Sequence, residues 1–184
     1  TIKGDPKLIL IGSIVLAVAL AEGAANDWLP LLIVDAYETS EAIGSLLFVA
    51  FAATMTLGRF LGTGALSHFG PVNVIRASAL IGAAGILIVV LTPTLYVAGV
   101  GVFLWGIGAS LGFPVAMSAG ASVGYDPSAR IAILATIGYM AFLVGPPLLG
   151  FIGEHIGLRL TMLVVLALLA LPLLLASTLQ RRNA

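Results

Sequence analysis

A carboxylate and an amide one helical turn apart, Glu22 and Asn26, are followed at once by Asp27 and Trp28, inside an apolar run from Leu8 to about Val34. A carboxylate in such a place can hold or release a proton as its surroundings change, and an amide can hydrogen-bond a solute hydroxyl. Placing Asp at the centre of a membrane helix costs about 2.5–3.5 kcal/mol on insertion scales. A chain carries that cost where the group faces other helices or a water-filled cavity, so these residues mark a functional site. Glu22 lies about 21 Å along a helix from Leu8. It is either a proton-coupling group or a neutral acid bonded to a neighbouring helix. Asn26 shares its face and would contact solute, Glu22 or another helix. Asp27 is about 140° around the helix from Glu22 and serves a solute or a helix break. Trp28 reads as an interface anchor or a stacking platform.

The elements that position these groups follow from composition. Of the 184 residues, 60% are hydrophobic and only 9% are charged, against about 25% charged in soluble domains. With a mean hydropathy of +1.18, the chain reads as an all-α integral membrane protein. Six apolar segments predict transmembrane helices at about 6–34, 41–66, 72–91, 95–117, 129–152 and 158–179. The first is too long to cross upright, so it tilts or breaks near Gly23, Asn26 and Pro30. Loops are expected at 35–40, 67–71 and 118–128, with Thr92-Pro93-Thr94 as a tight turn. Gly145-Pro146-Pro147 predicts a kink in the fifth helix and a gating role for the two prolines. The fourth and fifth helices carry the cavity aromatics Trp105, Phe113 and Tyr139, each with ordinary packing as the other reading.

Charge gives an orientation. Lys3, Lys7, Arg59, Arg76, Arg130, Arg181 and Arg182 fall on the side of the termini and only Arg159 on the other, which predicts that both ends are cytoplasmic. Arg59 is expected near the cytoplasmic end of its helix, snorkelling or latching a gate, with solute contact as the remaining option. No basic patch suggests nucleic acid. There is no cysteine, the two histidines lack metal-ligand spacing, and no phosphate-binding loop is present. No enzyme chemistry and no cofactor are expected.

A shift of 87 positions lays Pro6 on Pro93, Gly58 on Gly145, His68 on His155 and Gly70 on Gly157. A single domain, 1–184, would then hold two three-helix repeats, about 6–92 and 93–179. Three crossings per repeat would invert the second copy, a feature of secondary transporters.

Glu22-Gly23-Ala24-Ala25-Asn26-Asp27-Trp28, then Gly58-Arg59-Phe60-Leu61-Gly62 with Phe69-Gly70-Pro71, then Gly145-Pro146-Pro147-Leu148-Leu149-Gly150 resemble the C-terminal half, helices seven to twelve, of a major facilitator superfamily transporter. The resemblance is to bacterial members related to the fucose permease group. It implies a secondary transporter that moves a small polar solute, sugar-like or another metabolite, by proton-coupled alternating access in the inner membrane. The implied cavity is lined by the first, fourth and fifth helices, with the third and sixth packed outside, Glu22, Asn26, Asp27, Trp105, Phe113 and Tyr139 towards the solute and Arg59, Pro146 and Pro147 at the gate. The loop at 63–73 lacks the acidic and basic gating residues usual in the family. Such transporters have twelve helices, so the implied partners are solute, lipid and either a missing N-terminal half or a second copy. Thr1 in place of an initiator methionine reads as a fragment. A non-transporting assembly module and an ion channel are the alternatives.

Overall fold

The computed structural model describes residues 5–122 and 126–180. Every element among them is helical. α1 (Pro6–Tyr37) starts as the sequence predicts, with Asp5 accepting from the Lys7 amide at 2.9 Å and Pro6 in the first turn. The expected break does not occur. The helix continues through Gly23, Asn26 and Pro30 for 32 residues, about 48 Å. It ends where Glu38 turns left-handed and its N–H donates to Val34 O. Pro30 removes one donor, but neighbours hold the helix straight on: residues 17–25 are all buried. α1 is the post around which the other helices stand.

The expected second and third helices form one element, α2 (Glu41–Leu91), of 51 residues. Straight, it would measure about 76 Å, more than twice the roughly 30 Å of hydrocarbon. Gly70 alone leaves the helical region, at φ 75° and ψ 167°, with Pro71 behind it. Only glycine adopts that φ at ease, and proline is preset for the first turn of a new helical arm. Contacts with α3 (Leu95–Ser122) define the result. Phe51 and Thr54 lie against Gly106, while Gly82 and Gly85 lie against Gly108 and Trp105. Positions about 45 Å apart on a straight helix therefore meet one stretch of α3. α2 is a hairpin whose arms are 41–69 and 71–91, and the five-residue loop expected at 67–71 is corrected to a single glycine. Counting α2 once and the last segment, Leu158–Leu179, as one, five helical spans among the described residues are long and apolar enough to cross a membrane.

The loop expected at 118–128 is also shorter. α3 runs to Ser122, and α4 (Pro127–Ile156) begins behind the Asp126 cap, whose carboxylate accepts from the Ala129 amide at 3.1 Å. Tyr125, like Lys3, Arg181 and Arg182, lies outside the described residues. α4 stays helical through Pro146 and Pro147. Its buried stripe, Arg130, Leu134, Gly138, Ala141, Gly145 and Leu149, has helical spacing. It faces α1 and α3: Gly145 meets Leu20, and Gly138 meets Phe113. The last segment, expected as one helix, is α5 (Leu158–Leu168), α6 (Ala170–Leu175) and a 3-10 turn at Ala176–Leu179.

Close approach rests on small residues. A methyl on Gly108 would collide with the Gly82 backbone, and one on Gly85 with Gly101 and Trp105, as expected where packing rather than water drives helices together. Gly70 and Gly157 are the only glycines at positive φ among the described residues, at 75° and 84°, and the sequence shift pairs them. Gly58 faces Ile107 and Ser110, and its shift partner Gly145 faces Leu20, which the same shift pairs with Ile107.

Candidate functional site

Glu22 lies at mid-length of α1, its side chain only 11% exposed, and Arg59 reaches it from the first arm of α2 with Nη2 3.1 Å from Oε1. The Arg59 side chain is 47% exposed. Its Nε donates to Ser110 O at 3.3 Å. That carbonyl is free for a reason in the sequence: Pro114, four residues on, has no N–H to offer it. Arg59 Nη2 also contacts Met55 Sδ at 3.9 Å. Arg59 is thus not at the helix end where the sequence reading put it. Its head group turns inward to the level of Glu22, because an acid and a freed carbonyl there satisfy it. A cavity of about 360 Å³ opens beside it, lined by Arg59, Thr63, Leu66, Phe113 and Pro114 among others.

The other sequence candidates divide. Asn26 and Asp27 are exposed on α1. Trp28 is not a free platform: its indole donates to Pro146 O at 3.1 Å, and its ring packs on Gly150. Trp105 is 1% exposed, donates to Ala21 O at 3.1 Å and meets Phe51 edge-on at 5.9 Å. An aromatic that contacts solute needs an open face, and Trp105 has none, so here the packing reading holds. Phe113 shares the cavity with Arg59 and meets Phe142 edge-on at 6.4 Å. Tyr139 is 74% exposed on α4 and does not line that cavity. Pro146 is half-buried and Pro147 exposed. The Pro146 carbonyl ties α4 to α1 through Trp28.

A second carboxylate–guanidinium pair stands at the α1 N-terminus. Arg130 Nη1 is 2.7 Å from Asp5 Oδ2, and its Nε donates to Gly120 O at 3.1 Å. One side chain joins the start of α1, the end of α3 and the first turn of α4. The guanidinium holds the Asp5 carboxyl below the usual carboxylate range, against the opposing effect of burial. At the other end of the bundle Arg159 donates to Val90 O at 2.7 Å and to Thr92 O, and lies over the Tyr37 ring at 5.3 Å. It satisfies carbonyls that the end of α2 leaves open. His68 is exposed beside Phe69, and His155 bonds Phe151 O at 2.8 Å in the last turn of α4. Sequence reasoning missed both ion pairs. A usable signal was Pro114 spaced four after Ser110, which marks an open acceptor at membrane depth.

The family model for the Major Facilitator Superfamily matches residues 7–183. An uncharacterized transporter, y4wD, of Sinorhizobium fredii is 33% identical over 175 residues, which are 95% of this chain and 46% of that protein. Membrane protein MosC of Rhizobium meliloti is 28% identical over 88% of this chain and 40% of its own length. The crystal structure of FucP, a major facilitator superfamily transporter in the outward conformation, superposes with a TM-score of 0.83 at 18% identity, over 98% of this chain and 44% of that one. A peptide transporter, POT, superposes with a TM-score of 0.76 at 16% identity, over 92% of this chain and 37% of that one. These structures share the fold. The chain spans less than half the length of the relatives it matches.

Proposed function

Because the chain belongs to the Major Facilitator Superfamily, we propose that it is the C-terminal half of a secondary transporter, moving a small polar solute by alternating access with Glu22 as the proton-coupling group. The observation that carries this reading is the Glu22–Arg59 pair at mid-length of the apolar helix α1, beside an open cavity. Protonating Glu22 discharges the pair and changes what Arg59 can hold. Asn26 and Phe113 are the solute contacts nearest to it in this reading. Asp27 and Tyr139 are exposed and face solute or the other half. Trp105 supports α1 from behind. Arg59, Pro146 and Pro147 govern how α1, α2 and α4 move relative to one another.

The two arms of α2 count as two crossings, making six and putting both termini on one side. Lys7, Arg76 and Arg130 lie towards that side and Arg159 towards the other, which supports cytoplasmic termini in a bacterial inner membrane. The paired positive-φ glycines and the mirrored contacts of Gly58 and Gly145 support two inverted repeats. The other six helices come from the rest of a longer protein or from a second copy. FucP is described as a fucose:proton symporter, which points to sugar-like solutes here. The function is transport rather than catalysis.

The test is uptake by the intact protein in proteoliposomes under an acid-outside gradient, with a panel of labelled neutral sugars, polyols and sugar acids. Accumulation that Glu22→Gln abolishes while counterflow persists supports the reading. Accumulation indifferent to Glu22→Gln removes the coupling role, and unsaturable conductance makes the protein a channel.

A further inference from the structure

We infer that the site carries an anion: the solute bears a carboxylate or comparable acidic group that takes Glu22's place on Arg59 when Glu22 is protonated. This rests on the transport reading and names its substrate class.

The first observation is what lines the cavity. Arg59 is the only charged residue among Arg59, Gly62, Thr63, Leu66, Leu111, Phe113, Pro114 and Val115. No carboxylate in that lining would draw an amine. A cavity of about 360 Å³ is the size of a small-metabolite site. The second is the state of the guanidinium. Glu22 meets it through one oxygen on Nη2 at 3.1 Å, while Nε is held by Ser110 O. The paired Nη1–Nη2 edge, the part that grips a carboxylate in a two-pronged bond, has no protein acceptor on Nη1 among the described residues. Almost half the side chain is exposed and Arg59 lines the cavity, so a solute there can reach the guanidinium.

The third observation is the charge balance at this depth. α3 carries no acid or base apart from Tyr96 at its start, α4 carries Arg130, Glu154 and His155 at its ends and the 74% exposed Tyr139 outside the cavity lining, and α5 carries only Arg159 at its start. From α2, Glu41, His68 and Arg76 lie far along the arms from Arg59. On α1, Asp27 sits about 140° away from Glu22, on the exposed stripe of Ile9, Leu16 and Leu31. Arg59 is therefore the charge that acts on Glu22, and Glu22 is the counter-ion that Arg59 has. A proton from water converts the Glu22 carboxylate to a neutral acid and leaves Arg59 positive, and an uncompensated charge at membrane depth is unfavourable. A neutral sugar does not compensate it. A carboxylate does, so one proton and one monoanion enter together and the site keeps zero net charge.

The probes are gluconate, glucuronate and lactate against glucitol, glucose and glycerol, presented to the intact protein in nanodiscs at pH 5–8, with thermal shift and intrinsic tryptophan fluorescence as readouts. The acids should bind more tightly at low pH and the neutral analogues not at all. Arg59→Gln should weaken acid binding at least about tenfold, with Arg59→Lys intermediate because it lacks the fork. Glu22→Gln should bind the acids as well at pH 8 as the native protein does at pH 5. If the neutral analogues bind as well as the acids, or no acid binds, or Arg59→Gln leaves acid binding intact, the anion inference is overturned. Transport itself is judged separately: accumulation of a neutral sugar under the proton gradient keeps the transport reading while the anion inference falls.

Discussion

Two carboxylate–guanidinium pairs in this chain have opposite layouts. In Glu22–Arg59 the acid is buried and the base exposed, at 11% and 47%, with a 3.1 Å contact. In Asp5–Arg130 the base is buried and the acid more open, at 3% and 32%, with a 2.7 Å contact. The chemistry is the same and the consequence is not. A guanidinium cannot lose its proton in a protein, so a buried one must keep its acceptors. Arg130 is therefore a fixed staple, held by Asp5 and Gly120 O. Arg59 stands half in the cavity, where water or solute can replace its partner, and the buried member is the acid, which can become neutral. Exposure of the base, rather than the presence of an ion pair, separates an exchangeable site from a structural one.

The largest expected effect is Glu22→Gln. Concentrative uptake should fall to the leak level, whereas the melting temperature of the purified protein should drop less than loss of the Asp5 carboxylate lowers it, because half-exposed Arg59 can take up water or a buffer anion in Glu22's place. A large thermal loss with uptake intact would reverse the comparison and make Glu22–Arg59 the staple.

The complementary experiment is Asp5→Asn. It leaves buried Arg130 without its counter-charge, which should destabilise the protein by about 1–2 kcal/mol, since the partly exposed carboxylate was screened by solvent. Denaturant unfolding would read that loss, and Asp5→Asn with Arg130→Met should recover much of it. Transport per folded molecule should stay near native. A selective loss of transport would mean that this staple opens during the cycle.

Pro114→Ala gives a smaller effect that tests how Arg59 is aimed. Alanine supplies the N–H that Ser110 O lacks, so the carbonyl returns to the helix ladder and Arg59 Nε loses its acceptor. Proton-driven uptake should fall severalfold with stability equal or raised, as measured by initial rates and melting temperature. The carbonyl partner of Arg130, Gly120 O, has no proline four residues on, where the sequence has glycine.

The sequence exposed most of the fold, and the reason is local. Apolar runs of membrane length, the Asp5-Pro6 start and the Thr92-Pro93-Thr94 turn are written in consecutive residues. The reversal at Gly70 was legible in place but not in form: Phe69-Gly70-Pro71 reads as a loop, whereas one left-handed glycine before a preset proline suffices. The continuity of α1 through Pro30 was not legible, because it depends on neighbours burying residues 17–25 on every side. The site was half legible. Glu22 declares itself by its cost in an apolar run. Arg59 does not declare its partner, since its reach to Glu22 depends on how α2 packs against α1 and on a carbonyl freed in α3. Trp105 was not legible for a similar reason: an aromatic beside glycines can face a cavity or fill the gap they leave, and only packing decides.

The smallest expected effect concerns acid. Asp5 has a folded-state pKa below its unfolded value, chiefly through its hydrogen bond to Arg130. For an acid shifted in that direction, the unfolded chain binds the proton first as pH falls. The stabilisation is thus complete above the ordinary Asp value of about 3.9 and disappears as pH drops through the lowered one. Native protein should lose this share of stability only below about pH 4, and Asp5→Asn should show a flatter acid limb in detergent unfolding curves. Because Asp5 is partly exposed, solvent screening keeps the difference modest. Glu22→Gln should leave that acid limb in place, since the staple's proton chemistry belongs to Asp5 alone. An acid limb that instead follows Glu22 would tie the two pairs into one unit and end the division between an exchangeable site and a fixed one.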